Sequence, residues 1–204
     1  LALNPDGAYA IGVKVGRRGV DVVAIDFVGE LALDYHSAVA SPGPEKVFKT
    51  VVSTIDKIRR GLGDRWNRVT GIGIATPFNP GVWNVAWDKQ PGASDDAALY
   101  TWNHLEIGTH VHEHFQRPTF VENDGTAAAT AELVFGRGRQ FDNFFYIYLG
   151  TALGGGIVLN GRSYRGITSN AGALEHKPAT STINCTVSGT VRDSMNDILN
   201  KVHE

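Results

Sequence analysis

Two stretches of this sequence carry residues whose types and spacing could do chemistry together: a carboxylate at the mouth of a helix, and a run of bare backbone amides. Glu122-Asn123-Asp124-Gly125 closes a short apolar run, 119–122, and opens an Ala-rich stretch, 126–135, in which Ala128, Ala131, Leu133 and Phe135 are available for burial. Asp124 therefore falls at a strand-to-helix junction, where nearby helix amides hold a carboxylate. A group held there can accept a proton from a substrate hydroxyl. The second stretch, Leu149-Gly150-Thr151-Ala152-Leu153-Gly154-Gly155-Gly156, reads as a glycine-rich turn between strands, whose amides can approach a phosphate without a Cβ in the way. An acceptor base and a phosphate cradle form a phosphoryl-transfer layout. Each piece alone also has a plainer reading, Asp124 as a helix N-cap and 154–156 as a hairpin turn.

The elements that must position these stretches are legible in the patterning. Residues 9–15, 20–26 and 31–39 are β-rich runs separated by short turns, the spacing of an antiparallel meander. After Ser41-Pro42-Gly43-Pro44, Val47, Val51, Ile55, Ile58 and Leu62 recur at helical spacing, and 69–75 is a glycine-interrupted apolar run that suits a buried strand. Residues 78–99 lack periodicity and read as a long loop, whose Trp83 and Trp87 could stack on a sugar ring or pin the loop to the body. A helix with Val111 and Phe115 follows. Its His110, His112 and His114 look metal-like, but two imidazoles on one helical face without a placed carboxylate are more often solvated. Residues 144–149 form an aromatic-rich strand, Asn160-Gly161 predicts a two-residue hairpin turn, and Val191, Met195, Ile198 and Val202 predict a last helix. The order is an α/β plan with an antiparallel edge feeding a mixed sheet.

Composition narrows the classes. With 204 residues, 42% apolar content and 24 glycines, the chain can bury a core as one large domain or two small lobes. Its net charge of -2 removes the electrostatic footprint of a segment that itself grips nucleic acid. A single cysteine, Cys185, excludes an internal disulfide framework and a multi-cysteine zinc site, and it favours a reducing, cytoplasmic setting. No stretch approaches a transmembrane helix, so no membrane partner is expected. The missing initiator Met marks the chain as a fragment in this reading.

Taken together, Ile11-Gly12-Val13, the run Gly71-Ile72-Gly73-Ile74-Ala75-Thr76-Pro77, Glu122-Asn123-Asp124 with the Ala-rich residues 127–132, and the glycine run from Leu149 resemble the ROK family of repressors, uncharacterised open reading frames and sugar kinases. The resemblance spans Tyr9 to His176. It implies the actin-like, ribonuclease-H-like ATPase fold, an α/β architecture of two lobes around a cleft, here 1–122 as the first lobe and 123–204 as a partial second lobe. In kinases of the family the aspartate matching Asp124 is the base that deprotonates the sugar hydroxyl. The asparagine matching Asn123 binds the sugar, and the glycine run contacts nucleotide phosphate. The expected sugar-binding set is Thr76, Pro77, Asn123, Asp124 and His176, with Glu175 either reaching the same hydroxyls by a local shift or standing as a salt-bridged surface residue, and with Thr151, Gly154 and Gly155 as a phosphate loop.

Departures from the family pattern point away from catalysis. Where the kinases read Gly-x-Asp-x-Gly-Gly-Thr-Lys, this chain reads Gly12-Val13-Lys14-Val15-Gly16-Arg17-Arg18-Gly19. Lys14 replaces an acidic residue tied to the metal-phosphate site, and two arginines replace small residues that let the backbone close on phosphate. Ala173 stands where the family has a sugar-binding glutamate, with Glu175 two residues on. The family's histidine joins cysteines around a structural zinc, and only Cys185 stands near His176 here, so no zinc is expected. The opening nine residues resemble the link that follows a winged-helix DNA-binding domain in regulator members. The resulting expectation is a sugar-sensing, homodimeric body of a transcriptional regulator, not an enzyme and without cofactor, touching DNA only through a missing N-terminal domain. The alternatives are a hexose kinase that uses ATP and Mg with Asp124 as base, and a scaffold that has lost its ligand.

Overall fold

The computed structural model describes residues 2–16, 19–39, 44–77, 107–149, 153–166 and 171–172. The chain divides into two compact units, Leu1–Asp124 and Gly125–Glu204.

The first unit is built on a five-stranded sheet. Strands β1 (Tyr9–Val15), β2 (Gly19–Asp26) and β3 (Leu31–Ala38) form the antiparallel meander, while β4 (Val69–Thr76) and β5 (Thr119–Asn123) add in parallel on the other side of β1, giving the order β3-β2-β1-β4-β5. Alternation decides the faces. Tyr9, Ile11, Val13 and Val15 are buried, whereas Lys14, between them, is exposed. Helix α1 (Pro44–Leu62) covers that apolar face, packing on β2 and β3 with Val47, Val51, Ile55, Ile58 and Leu62 all buried. Full burial of each such side chain contributes roughly 1.5 to 3 kcal/mol against the extended chain. Glu45 in its first turn and Arg59 and Arg60 in its last complement the helix dipole. Helix α2 (Ile107–Phe115) lies against β5 and α1, and its Val111 and Phe115 extend the same core. The expected long loop 78–99, with Trp83 and Trp87, lies outside the described residues.

Helix α3 (Asp124–Phe135) starts directly from β5. The second unit holds the rest of this helix and a three-stranded antiparallel sheet of β6 (Phe144–Leu149), β7 (Leu153–Leu159) and β8 (Arg162–Tyr164). The Asn160-Gly161 hairpin forms as expected, both residues at positive φ (52° and 69°), which matches the right-handed twist of the flanking strands. Gly161 N donates to Asp142 O (2.7 Å) and Asn160 N to Asn143 Oδ1 (2.9 Å), so residues ahead of β6 hold the turn.

Two local expectations are corrected. The glycines 154–156 lie inside β7, paired opposite Tyr148, Ile147 and Tyr146, and not in a turn. Helix α3 buries Gly125, Thr126 and Ala129 in place of Ala131 and Phe135, which are exposed. Both have one cause. The helix presses its smallest side chains onto a strand that has none, so the close approach occurs on the glycine face and the larger apolar residues point elsewhere.

At the amino-terminal end of the sheet, the Tyr9 hydroxyl donates to an Asp6 carboxylate oxygen, and Arg65 lies over the Tyr9 ring at 5.8 Å. Arg68 Nη1 donates to Asp6 O at 2.7 Å. These contacts tie 4–7 to the 3-10 turn Gly63–Arg68. The Asp6 hydrogen bond, followed by burial, pushes the Tyr9 phenol above its ordinary value of 10.0. A raised value means that the folded state prefers the neutral phenol. Its contribution is therefore complete below pH 10.0 and fades as pH rises through the higher folded value. In thermal melts from about pH 8 to about pH 11, the wild type should hold its advantage over Tyr9→Phe at the neutral end and lose it at the alkaline end. A constant gap across the series would contradict this role of the phenol.

Candidate functional site

The geometry at the carboxyl ends of the parallel strands follows from sheet order. From β1 the chain leaves toward β2, and from β4 it continues to β5 on the opposite side, so the crevice between the ends of β1 and β4 is the topological switch point where open α/β sheets take ligands. Register then decides which residues meet there. Thr76 and Asn123 are direct partners across β4 and β5. Pro77 follows Thr76 and is buried; it has no N–H with which to extend the ladder, so β4 ends there. Asp124 follows Asn123 as the first residue of α3 and is half-buried. Four of the expected sugar-binding residues thus stand at one sheet edge: Thr76, Pro77, Asn123 and Asp124.

Hydrogen bonds organise this edge. Glu122 Oε1 accepts from Asn123 N at 3.0 Å, and Thr76 Oγ1 donates a long bond to Pro77 O at 3.5 Å. The edge offers a hydroxyl, an amide and a carboxylate within two adjacent strand ends, a set that can both donate to and accept from a polyol. Glu175, His176 and Thr151 lie outside the described residues.

One row was not foreseen. Lys14 pairs with Ala75 across β1 and β4, and Ala75 pairs with Glu122 across β4 and β5; on the other side Lys14 pairs with Asp21, which pairs with His36. Partners on one rung share a face of the sheet. His36, Asp21, Lys14, Ala75 and Glu122 therefore form a row across all five strands, and His36 Nδ1 lies 2.6 Å from Asp21 Oδ1. Alternation placed Lys14 on the face away from α1, but no pattern in the sequence could say that Glu122 would share its rung. On this rung β1 presents an ammonium, that of Lys14.

In the second unit, Gly155 and Gly156 are buried and required by packing. A Cβ on Gly156 would fall 2.5 Å from both Ala129 Cβ and Gly125 O, and one on Gly155 would run into Tyr146 O. Gly154 differs, since a Cβ there meets nothing within 4 Å. The run thus divides into two packing glycines and one beside open space. The histidines of α2 are engaged separately. His112 Nδ1 lies 2.7 Å from Arg117 O, His110 packs edge-on to Phe48 with ring centroids 4.4 Å apart, and His114 Nε2 lies 4.0 Å from Asp56 Oδ2. Among the described residues, no group of three or more His, Cys, Asp or Glu is placed to hold a metal. Nor does any helix among them have the length and apolarity to cross a membrane.

A family model described as the ROK family matches residues 10–191. The chain belongs to the ROK family. It is 26% identical over 180 residues to a xylose repressor of Bacillus subtilis (strain 168), covering 86% of this chain and 44% of the repressor. To a glucokinase of Streptomyces coelicolor it is 28% identical over 166 residues, covering 81% of this chain and 48% of the enzyme. Among solved structures, a ROK family transcriptional regulator, a homologue of the E. coli MLC protein, superposes with a TM-score of 0.67 at 24% identity, over 98% of this chain and 50% of that one. A ROK family glucokinase from Streptomyces griseus, in complex with glucose and AMPPNP, gives a TM-score of 0.63 at 26% identity, over 81% of this chain and 49% of the enzyme. The fold is the α/β, actin-like class expected from the sequence, and ROK repressors and ROK sugar kinases are both relatives. The chain spans about half the length of the relatives it matches.

The divided role of the glycine run can be read from stability. Gly156→Ala should cost about 1 to 3 kcal/mol, because Ala129 and the Gly125 carbonyl must move aside, whereas Gly154→Ala should change stability by less than about 1 kcal/mol. Urea unfolding of the two variants measures the difference, and equal costs would dissolve the distinction.

Proposed function

We propose that this ROK-family chain is the sugar-sensing, dimer-forming body of a transcriptional regulator in which the ancestral kinase ATP site is degraded. The observation that carries the reading is Lys14. Phosphoryl transfer depends on neutralising charge that develops on the phosphate oxygens, through a metal held by carboxylates and through closely approaching amides. At the carboxyl end of β1, next to the Thr76 and Asn123 edge, a lysine stands on the rung of Ala75 and Glu122. The neighbouring Arg17 and Arg18 replace the small residues that a phosphate would need. Similarity to xylose repressors agrees with this reading. Sugar recognition needs none of the lost groups, because Asn123, Asp124 and Thr76 can bond hydroxyls without a metal. DNA contact is assigned to a separate winged-helix domain, and the protein is taken to act in the cytoplasm as a homodimer.

An active sugar kinase is the second reading, and Asp124 favours it. A carboxylate beginning α3, one residue from Asn123 and one strand from Thr76, suits a general base for a sugar hydroxyl. A coupled assay with ATP and Mg over hexoses and N-acetylhexosamines separates the two. No sugar-dependent ATP turnover is expected, and turnover of about 1 to 100 per second would overturn the regulator reading.

For sensing, calorimetric titration of a sugar panel should find a ligand for the wild type and a loss of about ten- to a hundredfold in Asp124→Ala, which leaves sugar hydroxyls without their acceptor. Equal binding by both proteins would move the site elsewhere. Absence of any binding at millimolar sugar would leave the chain a scaffold.

A further inference from the structure

The first turn of α3, the middle of β7 and the turn at 171–172 meet at a single peptide group. A Cβ on Gly125 would run into the Gly155 carbonyl oxygen and lie 2.7 Å from its carbon. A Cβ on Gly172 would strike the same oxygen and lie 2.5 Å from the same carbon, and 2.8 Å from Gly156 Cα. The Gly155 carbonyl is therefore approached closely by two α-carbons that come from segments 47 residues apart in the sequence. Its residue is fixed in place as well, since Gly155 is paired with Ile147 in the β6–β7 ladder and its α-carbon lies close against Tyr146 O.

A second contact fixes the helix in roll. Gly156 approaches Ala129 and the Gly125 carbonyl, so α3 touches the strand at 125 and again four residues later on the same face. The helix is also braced internally and laterally. Thr130 Oγ1 donates to Thr126 O at 2.8 Å and lies 2.6 Å from Ser163 Oγ on β8. A helix held this way moves as a body, and Asp124 is its first residue. In sequence, Gly172 is followed by Ala173-Leu174-Glu175-His176.

We propose that the Gly155 carbonyl is a steric pivot coupling the 171–172 turn to the first turn of α3, which makes Gly125 and Gly172 positioning residues for Asp124. Interiors packed at this density transmit displacement because no free volume absorbs it. A methyl group at either glycine must push the helix start or the turn away by about 1 Å to restore ordinary contact, and a hydrogen bond stretched by that amount is lost. The consequence for ligand binding rests on the sugar-sensing reading; the coupling itself does not.

Amide hydrogen exchange of the unliganded protein tests the coupling. Gly172→Ala should speed exchange of residues 125–130 at least about tenfold, although the substitution lies far away in sequence, while Gly154→Ala, in open space, leaves those amides unchanged. Unchanged exchange at 125–130 in a folded Gly172→Ala protein overturns the proposal. Should that variant fail to fold, native-state exchange of the wild type in low urea decides. A shared urea dependence for amides 125–129, 155–156 and 172 supports the pivot, and independent opening refutes it. With a binding sugar in hand, Gly125→Ala should weaken affinity about tenfold in the wild-type background and add nothing in Asp124→Ala, whereas a purely structural role would give additive losses. If no sugar binds the wild type, the sensing reading fails and the exchange result still stands on its own.

Discussion

The parallel pairing of β1 with β4 is the constraint on which the first unit depends. It brings the carboxyl end of the first strand beside the carboxyl end of a strand more than fifty residues later, and one face of both is buried in the core. Ile11, Val13, Ile72 and Ile74 share that buried face, and loss of the pairing would expose them together. Register has the same importance as pairing. Because side chains alternate with period two, a slip of one residue would turn Lys14 into the core and Val13 out to solvent, at a cost no surface contact could offset. The Lys14, Ala75 and Glu122 rung and the Thr76 and Asn123 pair are consequences of this one alignment.

The second unit relies on a different principle. Its contact between helix and strand is made by glycines and one alanine, so it gains closeness and gives up apolar area. Such a contact is sensitive to single methyl groups and insensitive to hydrophobicity. That explains why Ala131 and Phe135 remain exposed on an Ala-rich helix whose burial would ordinarily be sought among its larger residues. It also gives glycines 155 and 156 a structural reason to be glycine that is independent of phosphate binding. Gly154, in open space, is the member of the run for which packing supplies no reason.

Similarity at the level of the family does not choose between sensing and catalysis, since repressors and glucokinases match this chain at comparable identity. The reason is physical. Phosphoryl transfer and ligand binding can use one fold, and they differ in the few groups that stabilise charge during transfer. In this chain the end of β1 carries Lys14, and the junction of β5 with α3 carries Asn123 and Asp124.

The sequence by itself determined the local elements and the family. The period-two runs at β1, β2 and β3, the helical repeat from Val47 to Leu62, and the Asn160-Gly161 turn each depend on neighbours a few residues away. Their identity is therefore written in short stretches of chain. The carboxylate at the start of α3 was legible for the same reason. Tertiary structure alone decided what crosses between strands: that Glu122 shares a rung with Lys14, that Thr76 stands beside Asn123, and that Gly125 and Gly172 close on one carbonyl. Glycines 154–156 show the difference most plainly. Their composition is that of a turn, but pairing with β6 makes a strand of them, and α3 then packs on the face that their missing side chains leave bare.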